Sequence, residues 1–236
     1  REAWLLVPGN LISTVPKNLE TDRTIASEPD INMFFQKSIG KKISKRLKRF
    51  GINLQDQTSN QKSCALALLC ERATIDLRNA SNSNVLLPIM ALLDEDWAYL
   101  LEITRSPYGT FSSRKDVLEG RADWLEYEML SSMGNGFTFE LETALFFAIC
   151  LSCASQLGET WVYGDDIIIP SYVAPLVTSV LNIFGHEVNT AKSFTSGLSY
   201  ESCGVYYFNS IDVTPLKIKD YLYESKDIII LANKLR

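Results

Sequence analysis

Trp161-Val162-Tyr163-Gly164-Asp165-Asp166-Ile167-Ile168-Ile169-Pro170 is the stretch on which the fold turns. Two adjacent carboxylates stand between two apolar runs, the second of them β-branched. Such runs read as strands, and Gly164-Asp165 is a pair that closes a hairpin turn. Two acids at the tip of a buried-looking hairpin are costly unless something neutralises them. A pair of Mg²⁺ ions would do so, and two such ions about 3.5–4 Å apart suit phosphoryl transfer. A polar hairpin turn with no chemistry is the competing reading, because a bare Gly-Asp-Asp is common.

The flanks give an α+β plan. Upstream, Ser131-Ser132-Met133-Gly134-Asn135-Gly136 is a Gly-bearing turn that leads into one long helix, Phe137 to Leu157. Downstream, a helix runs from Ala174 to Phe184, with Pro175 in its first turn and Gly185 ending it. Short strands follow at Cys203 to Phe208 and Ile211 to Val213. Ala73 to Leu77 is a strand with Asp76 near its end. Leu86 to Thr104 and the apolar run Cys64 to Cys70 read as helical, and 106–119 as a loop or hairpin. In 31–50, Ile31, Phe34, Phe35, Ile39, Ile43, Leu47 and Phe50 fall near one helical face, with Gly51 as C-cap. Residues 1–30 read as extended segments and loops. The expected architecture is a small antiparallel sheet backed by helices.

With 236 residues the chain can bury a core and form one or two domains. A net charge of −5 argues against a uniformly basic coat, yet Lys37 to Arg49 holds seven Lys/Arg and no acid. That face could hold phosphates or simply be solvated. The five cysteines, with no visible signal peptide, suggest reduced thiols in a cytoplasmic setting. Cys150 and Cys153 have CxxC spacing but lie inside an apolar helical run without a second ligand pair. His186, the single histidine, reads as structural. The most apolar stretch, Thr143 to Leu157, is 15 residues and short for a membrane span. The chain begins at Arg1, so it reads as processed or excerpted.

If the strand ending in Asp76 pairs beside the hairpin, Asp76, Asp165 and Asp166 converge at one end of a sheet. Mg²⁺ takes oxygen ligands and keeps waters or substrate phosphates in its shell. Three acids and a triphosphate could then bind two ions, one activating a 3′-hydroxyl and one stabilising the leaving pyrophosphate.

Tyr163-Gly164-Asp165-Asp166 resembles motif C of viral RNA-dependent RNA polymerases. Val15-Pro16-Lys17-Asn18, Thr21-Asp22-Arg23-Thr24-Ile25-Ala26 and Asn32-Met33-Phe34-Phe35-Gln36 are similar to the replicases of single-stranded RNA bacteriophages, the levivirus type. So are the Ser131–Gly136 turn, Thr138-Phe139-Glu140-Leu141-Glu142, Glu201-Ser202-Cys203-Gly204 and Asp212-Val213-Thr214-Pro215. The blocks stand in family order over most of the chain.

The resemblance implies a right-hand polymerase palm with part of the fingers. Residues 1–70 would be partial fingers with a basic triphosphate-binding segment, and 71–215 the palm with motifs A to E. About 105–130 would be a fingers-side insertion, and 216–236 the start of the thumb or a C-terminal extension. Asp76 resembles the motif A metal ligand, Asp165 the motif C ligand, and Asp166 a weaker or second ligand. Lys17 and Arg23 resemble the residues that grip the incoming triphosphate. Gly134 and Thr138 resemble motif B, which holds template and nucleotide. Lys192 resembles the motif D general acid for pyrophosphate, and a protonated lysine can donate. The family's second motif A aspartate, tied to sensing the ribose 2′-hydroxyl, is here Asn82, which keeps hydrogen-bonding capacity without the charge.

The implied activity is template-directed RNA synthesis with two Mg²⁺, Mn²⁺ being a possible substitute, in the cytoplasm of an infected bacterium. Implied partners are template RNA, the nascent strand, ribonucleoside triphosphates and host translation elongation factors, with no membrane. A catalytically inactive RNA-binding fragment and another palm nucleotidyltransferase with relaxed sugar choice are the alternatives.

Overall fold

The computed structural model describes residues 5–17, 21–153, 157–216 and 224–234. In chain order the elements are β1 (Gly9–Pro16), β2 (Asp22–Ser27), α1 (Asp30–Arg49), α2 (Thr58–Ala65), β3 (Arg72–Ile75), α3 (Leu86–Leu92), α4 (Glu95–Thr104) and β4 (Tyr108–Thr110). There follow α5 (Arg114–Leu118), β5 (Leu125–Glu126), α6 (Thr138–Ser152), β6 (Trp161–Tyr163), β7 (Asp166–Pro170), α7 (Ala174–Ile183), β8 (Ser199–Ser202), β9 (Val205–Phe208), β10 (Ile211–Asp212) and α8 (Ser225–Lys234). The strands form three small sheets, in the orders β2-β1-β4-β5, β3-β7-β6 and β10-β9-β8. The α+β class holds, but three sheets replace the expected one. The first is mixed, because β1 pairs parallel with β4 across a long helical crossover.

The sheet β3-β7-β6 is the centre of the molecule. Ile167, Ile168 and Ile169 of β7 are all fully buried. Ile167 and Ile169 join the main core with Ile39 and Ile43 of α1, Phe146 of α6 and Leu181 of α7, while Ile168 packs with Cys64, Ala67 and Tyr200 on the other face. A strand covered on both faces is apolar throughout rather than alternating, which explains three consecutive isoleucines. The outer edge of β3 is also covered. Thr74 exchanges backbone hydrogen bonds with Phe194 at 2.9 and 2.8 Å, and Leu77 bridges Val188. The Asn189 N–H still donates to the Asp76 carbonyl at 2.9 Å, but between there and Phe194 the returning chain is longer than β3, so residues 190–193 bulge out beside Asp76.

Several local expectations are corrected. The apolar run Cys64 to Cys70 is mostly a series of turns after α2, which starts earlier at Thr58. Leu86 to Thr104 is two helices, because the Asp94 side chain accepts from the Asp96 N–H and restarts the chain as α4. The 106–119 stretch contains β4 and α5, the latter capped by Ser113. The long helix after Gly136 ends at Ser152; residues 154–156 of the expected span lie outside the described residues, as does Asn18. Cys203 and Gly204 are the turn of the β8–β9 hairpin, not strand, and both have positive φ. In α1 the buried face is Gln36, Ile39, Gly40, Ile43 and Leu47. Ile31, Phe34, Phe35 and Phe50 are instead exposed. Gly51 does end α1, at φ +89°.

All five cysteines are free, and Cys150 and Cys153 are buried in the core. No helix among the described residues is long and apolar enough to cross a membrane.

Candidate active site

The hairpin forms as its sequence dictates. Tyr163 pairs with Asp166 across a two-residue turn in which Gly164 has φ +61°. Glycine at the first turn position matches the right-handed twist of paired strands. It is also required by space. A Cβ on Gly164 would lie 2.5 Å from the Phe139 ring of α6. The Gly164 N–H donates to Thr143 Oγ1 of α6 at 2.9 Å, and Tyr163 packs edge-on against Phe139. Helix α6 thus holds the turn from behind.

The β3–β7 register pairs Ile75 with Ile167, so Asp76 comes level with Asp166 one step further along. Asp76 is tied to the bulge. Its Oδ1 accepts from Asn189 Nδ2 at 2.8 Å, and Lys192 Nζ stands 3.9 Å from Oδ2. Its backbone N–H donates to Ser193 Oγ at 3.0 Å. Asp166 Oδ1 accepts from the Cys203 N–H at 2.9 Å and from Ser202 Oγ at 3.2 Å. The β8–β9 turn therefore fixes Asp166.

Asp165 carries the electrostatic load. Burial first, then Asp166 and Asp76, push its carboxyl up to about 6, while Arg23 opposes the shift. Burial also raises Asp166, partly offset by the donors from Cys203 and Ser202. At Lys192, burial pulls the ammonium down, and Asp76, Glu201 and Asp166 outweigh it and hold it above the ordinary lysine value. The three sequence-predicted acids and Lys192 are thus brought into one electrostatic unit.

The other candidates are placed around it. Arg23 lies on β2 opposite Val15, within electrostatic reach of Asp165. Lys17 follows β1; its N–H donates to the Thr21 carbonyl at 2.9 Å and its side chain is exposed. Asn82 ends a 3₁₀ turn, and its Oδ1 accepts weakly from the Met133 N–H at 3.5 Å. Gly134 has φ +116°, and a Cβ there would lie 2.1 Å from the Ala26 carbonyl oxygen. The Ala26 N–H donates to the Met133 carbonyl at 2.8 Å, so the Gly134 turn is pinned to β2. Buried Gln36 of α1 accepts from the Gly136 N–H at 3.0 Å and donates to Glu28 and to the Thr104 carbonyl. Thr138 is buried, and its hydroxyl donates to the Ser132 carbonyl at 2.8 Å, so it anchors the turn.

Sequence reasoning missed Glu142, Glu201 and Asn189. Glu142 of α6 is 3% exposed and accepts from Asn84 Nδ2 at 3.1 Å, with Ser81 also donating to it. Burial, and secondarily Asp165, raise it to about 7. Glu201 is likewise raised to about 7 by burial and by Asp166, against the pull of Lys192. An acid inside the apolar run of α6 was the available signal for Glu142.

These raised acids predict a pH response. Glu142 has a folded value near 7 against an ordinary 4.5, so it binds protons more readily folded than unfolded. Its contribution is full below 4.5 and is lost as pH rises through 7. Glu142→Gln keeps the acceptor for Asn84 and removes the charge. It is expected to raise stability at pH 8 by about 2–3 kcal/mol and to leave it unchanged at pH 4. His186, pushed down to about 4 by burial, acts in the opposite sense, losing stability as pH falls. Urea melts of both proteins from pH 4 to 8 isolate the Glu142 part, since His186 is common to them.

No group of three or more Asp, Glu, His or Cys among the described residues is arranged to hold a metal ion alone. Asp76, Asp165 and Asp166 supply the hard oxygen donors that Mg²⁺ takes, and such an ion is bound through one or two carboxylates and completed by water and substrate phosphates. Asp165 is raised by burial, Asp166 and Asp76, and a hard cation would relieve that repulsion.

Comparison with known proteins shows the family. A family model described as RNA replicase, beta-chain, matches residues 2–236. The RNA-directed RNA polymerase beta chain of Enterobacteria phage fr is 40% identical over 98% of this chain and 42% of its own length. The RNA-directed RNA polymerase subunit beta of Escherichia virus Qbeta is 41% identical over 97% of this chain and 38% of its own. The corresponding beta chain of Escherichia phage MS2 is 39% identical over 98% of this chain and 42% of its own. The chain therefore spans about two fifths of the length of the curated relatives it matches. A solved telomerase from Candida albicans superposes with a TM-score of 0.59 over 96% of this chain and 48% of that one, at 11% identity, a likeness of fold alone. With a family match over residues 2–236 and these relatives, the chain belongs to the RNA replicase beta-chain family.

Proposed function

We propose that this chain carries the catalytic centre of template-directed RNA synthesis, adding ribonucleotides to a nascent strand. The observation that carries the reading is the pairing of β3 with β7, which brings Asp76 level with the Asp165-Asp166 turn, while the chain returning along the other edge of β3 sets Lys192 beside Asp76. In this reading 71–215 is a polymerase palm, 1–70 with about 105–130 belongs to the fingers, and 216–236 begins the thumb or a C-terminal extension.

Asp76 and Asp165, with Asp166 as the weaker third, would hold two Mg²⁺, or Mn²⁺ in their place. When bound, the ions supply Lewis-acid activation of a hydroxyl and charge neutralisation on phosphate. The chain's own residues do the rest. Arg23 and Lys17 attract the triphosphate, and Arg23 lies within electrostatic reach of Asp165. The Gly134 turn, clamped by Ala26, Gln36 and Thr138, gives template and nucleotide a fixed surface at the start of α6. Lys192, kept protonated by its carboxylate neighbours, is poised to give a proton to departing pyrophosphate. Asn82, next to Met133, is positioned to test the sugar. The setting is the cytoplasm of an infected bacterium.

The test is extension of a primed RNA template with Mg²⁺, run in parallel with ribo- and deoxyribonucleoside triphosphates. Ribonucleotide addition that chelation abolishes is expected. Asn82→Asp is expected to raise the preference for ribose about 10-fold, since a charged acceptor strengthens a hydrogen bond to hydroxyl. Template RNA bound without any extension would favour the non-catalytic reading.

A further inference from the structure

We propose that the exposed face of α1 is a docking track for a single strand of RNA, continuous with the turn at Gly134–Gly136. The choice of RNA rests on the function proposed above; the existence of the track rests on charge and geometry.

Phe34, Lys37, Lys41, Lys45 and Lys48 recur three or four residues apart and form one row along the helix, opposite the buried row Gln36, Ile39, Gly40, Ile43 and Leu47. All five side chains of the exposed row face solvent. Lys42, Arg46 and Arg49 form a second row beside them, with Arg46 lying over the Trp97 ring at 4.7 Å. Among the described residues no ion pair involves any of these cations. The helix dipole accounts for Arg46, Lys48 and Arg49 in the last turn, but not for Lys37, Lys41, Lys42 or Lys45. So dense a run of unpaired positive charge in a chain of net charge −5 has an anionic partner as its simplest counterpart.

Two further features narrow the partner. Phe34 is 69% exposed and stands in the lysine row, with Phe35 edge-on to it at 5.5 Å. Exposed rings beside a row of cations are what unpaired bases and their phosphates require, whereas a duplex hides its base faces. The row also has a direction. A Cβ on Gly136 would lie 2.9 Å from Lys37 N and 3.1 Å from Lys37 Cγ, so the track begins against the turn that closes the candidate site. It runs from there to Lys48, about 16 Å along the helix.

The test is fluorescence anisotropy of the whole chain with a labelled oligouridylate about 12 nucleotides long, without Mg²⁺ or nucleotide. Each lost lysine–phosphate contact should lower the slope of log affinity against log salt by about 0.7. The triple variant K41Q/K45Q/K48Q is therefore expected to lower it by about 2. Phe34→Ala should weaken binding about 10-fold with the slope unchanged, because stacking is not ionic. The control K62Q/R114Q/K115Q, with the same loss of charge elsewhere, should change neither, and Asp165→Asn should bind like the parent. A triple variant with the parental slope overturns the track. So does duplex RNA that binds as tightly as the single strand, with Phe34→Ala silent. Either failure leaves the catalytic reading to the extension assay, where Asp165→Asn tests it separately.

Discussion

Asp165→Asn is expected to abolish nucleotide addition while leaving the protein at least as stable as its parent. The two effects share one cause. Asp165 sits at the tip of the β6–β7 turn, where burial, Asp166 and Asp76 all disfavour its charge. Asparagine fills the same volume without that charge, so repulsion in the resting fold falls and the melting temperature should hold or rise. The negative charge is also what a phosphate-bound cation would need. Losing several kcal/mol of charge stabilisation in the transition state corresponds to a rate loss of about 10³-fold or more. Single-nucleotide extension and a thermal melt on the same sample read both. Turnover within tenfold of the parent would sink the assignment of Asp165. Asp166→Asn makes a useful contrast. The contacts of Asp166 to Cys203 N and Ser202 Oγ both use Oδ1, which asparagine retains. The β8–β9 turn should stay docked, and the rate loss should be smaller.

Gly134→Ala is expected to be the most damaging small substitution at the site. The residue has φ +116°, which L side chains rarely adopt, and the added Cβ would meet the Ala26 carbonyl oxygen at 2.1 Å. That oxygen belongs to the backbone of β2, and β2 is itself bonded to Met133, so neither side can yield alone. The turn must move. The expected cost is about 3 kcal/mol or more, from strain and clash together. Met133 and Asn82 would separate, and nucleotide addition should fall by about 10²-fold, with a raised KM for the triphosphate. Gly158→Ala is the control, because nothing lies within 4 Å of its added Cβ. Equal melting temperatures and rates for the two variants would refute the packing argument.

The acid hairpin was legible because its causes are local. A Gly-Asp turn between apolar runs closes by itself, and a strand ending in Asp76 needs only a partner. The α6 helix was legible for the same reason, as was the Gly51 end of α1. The splitting of the 86–104 span was harder to see, since Asp94 competes with an apolar pattern that continues on both sides. The exposed phenylalanines of α1 were misjudged because apolar character alone does not say which face a helix buries.

Composition, periodicity and turn chemistry thus determined the strands that flank the acid turn and the one leading to Asp76, which acids stand at a turn, and that α1 carries a run of positive charge. Tertiary structure decided what each acid experiences. Asp166 meets the turn at Cys203, Asp76 meets Asn189 and Lys192, and Glu142 meets Asn84 and the field of Asp165. Those partners come from distant parts of the chain. Desolvation and Coulomb energy depend on distance in space, which no local pattern along the chain encodes.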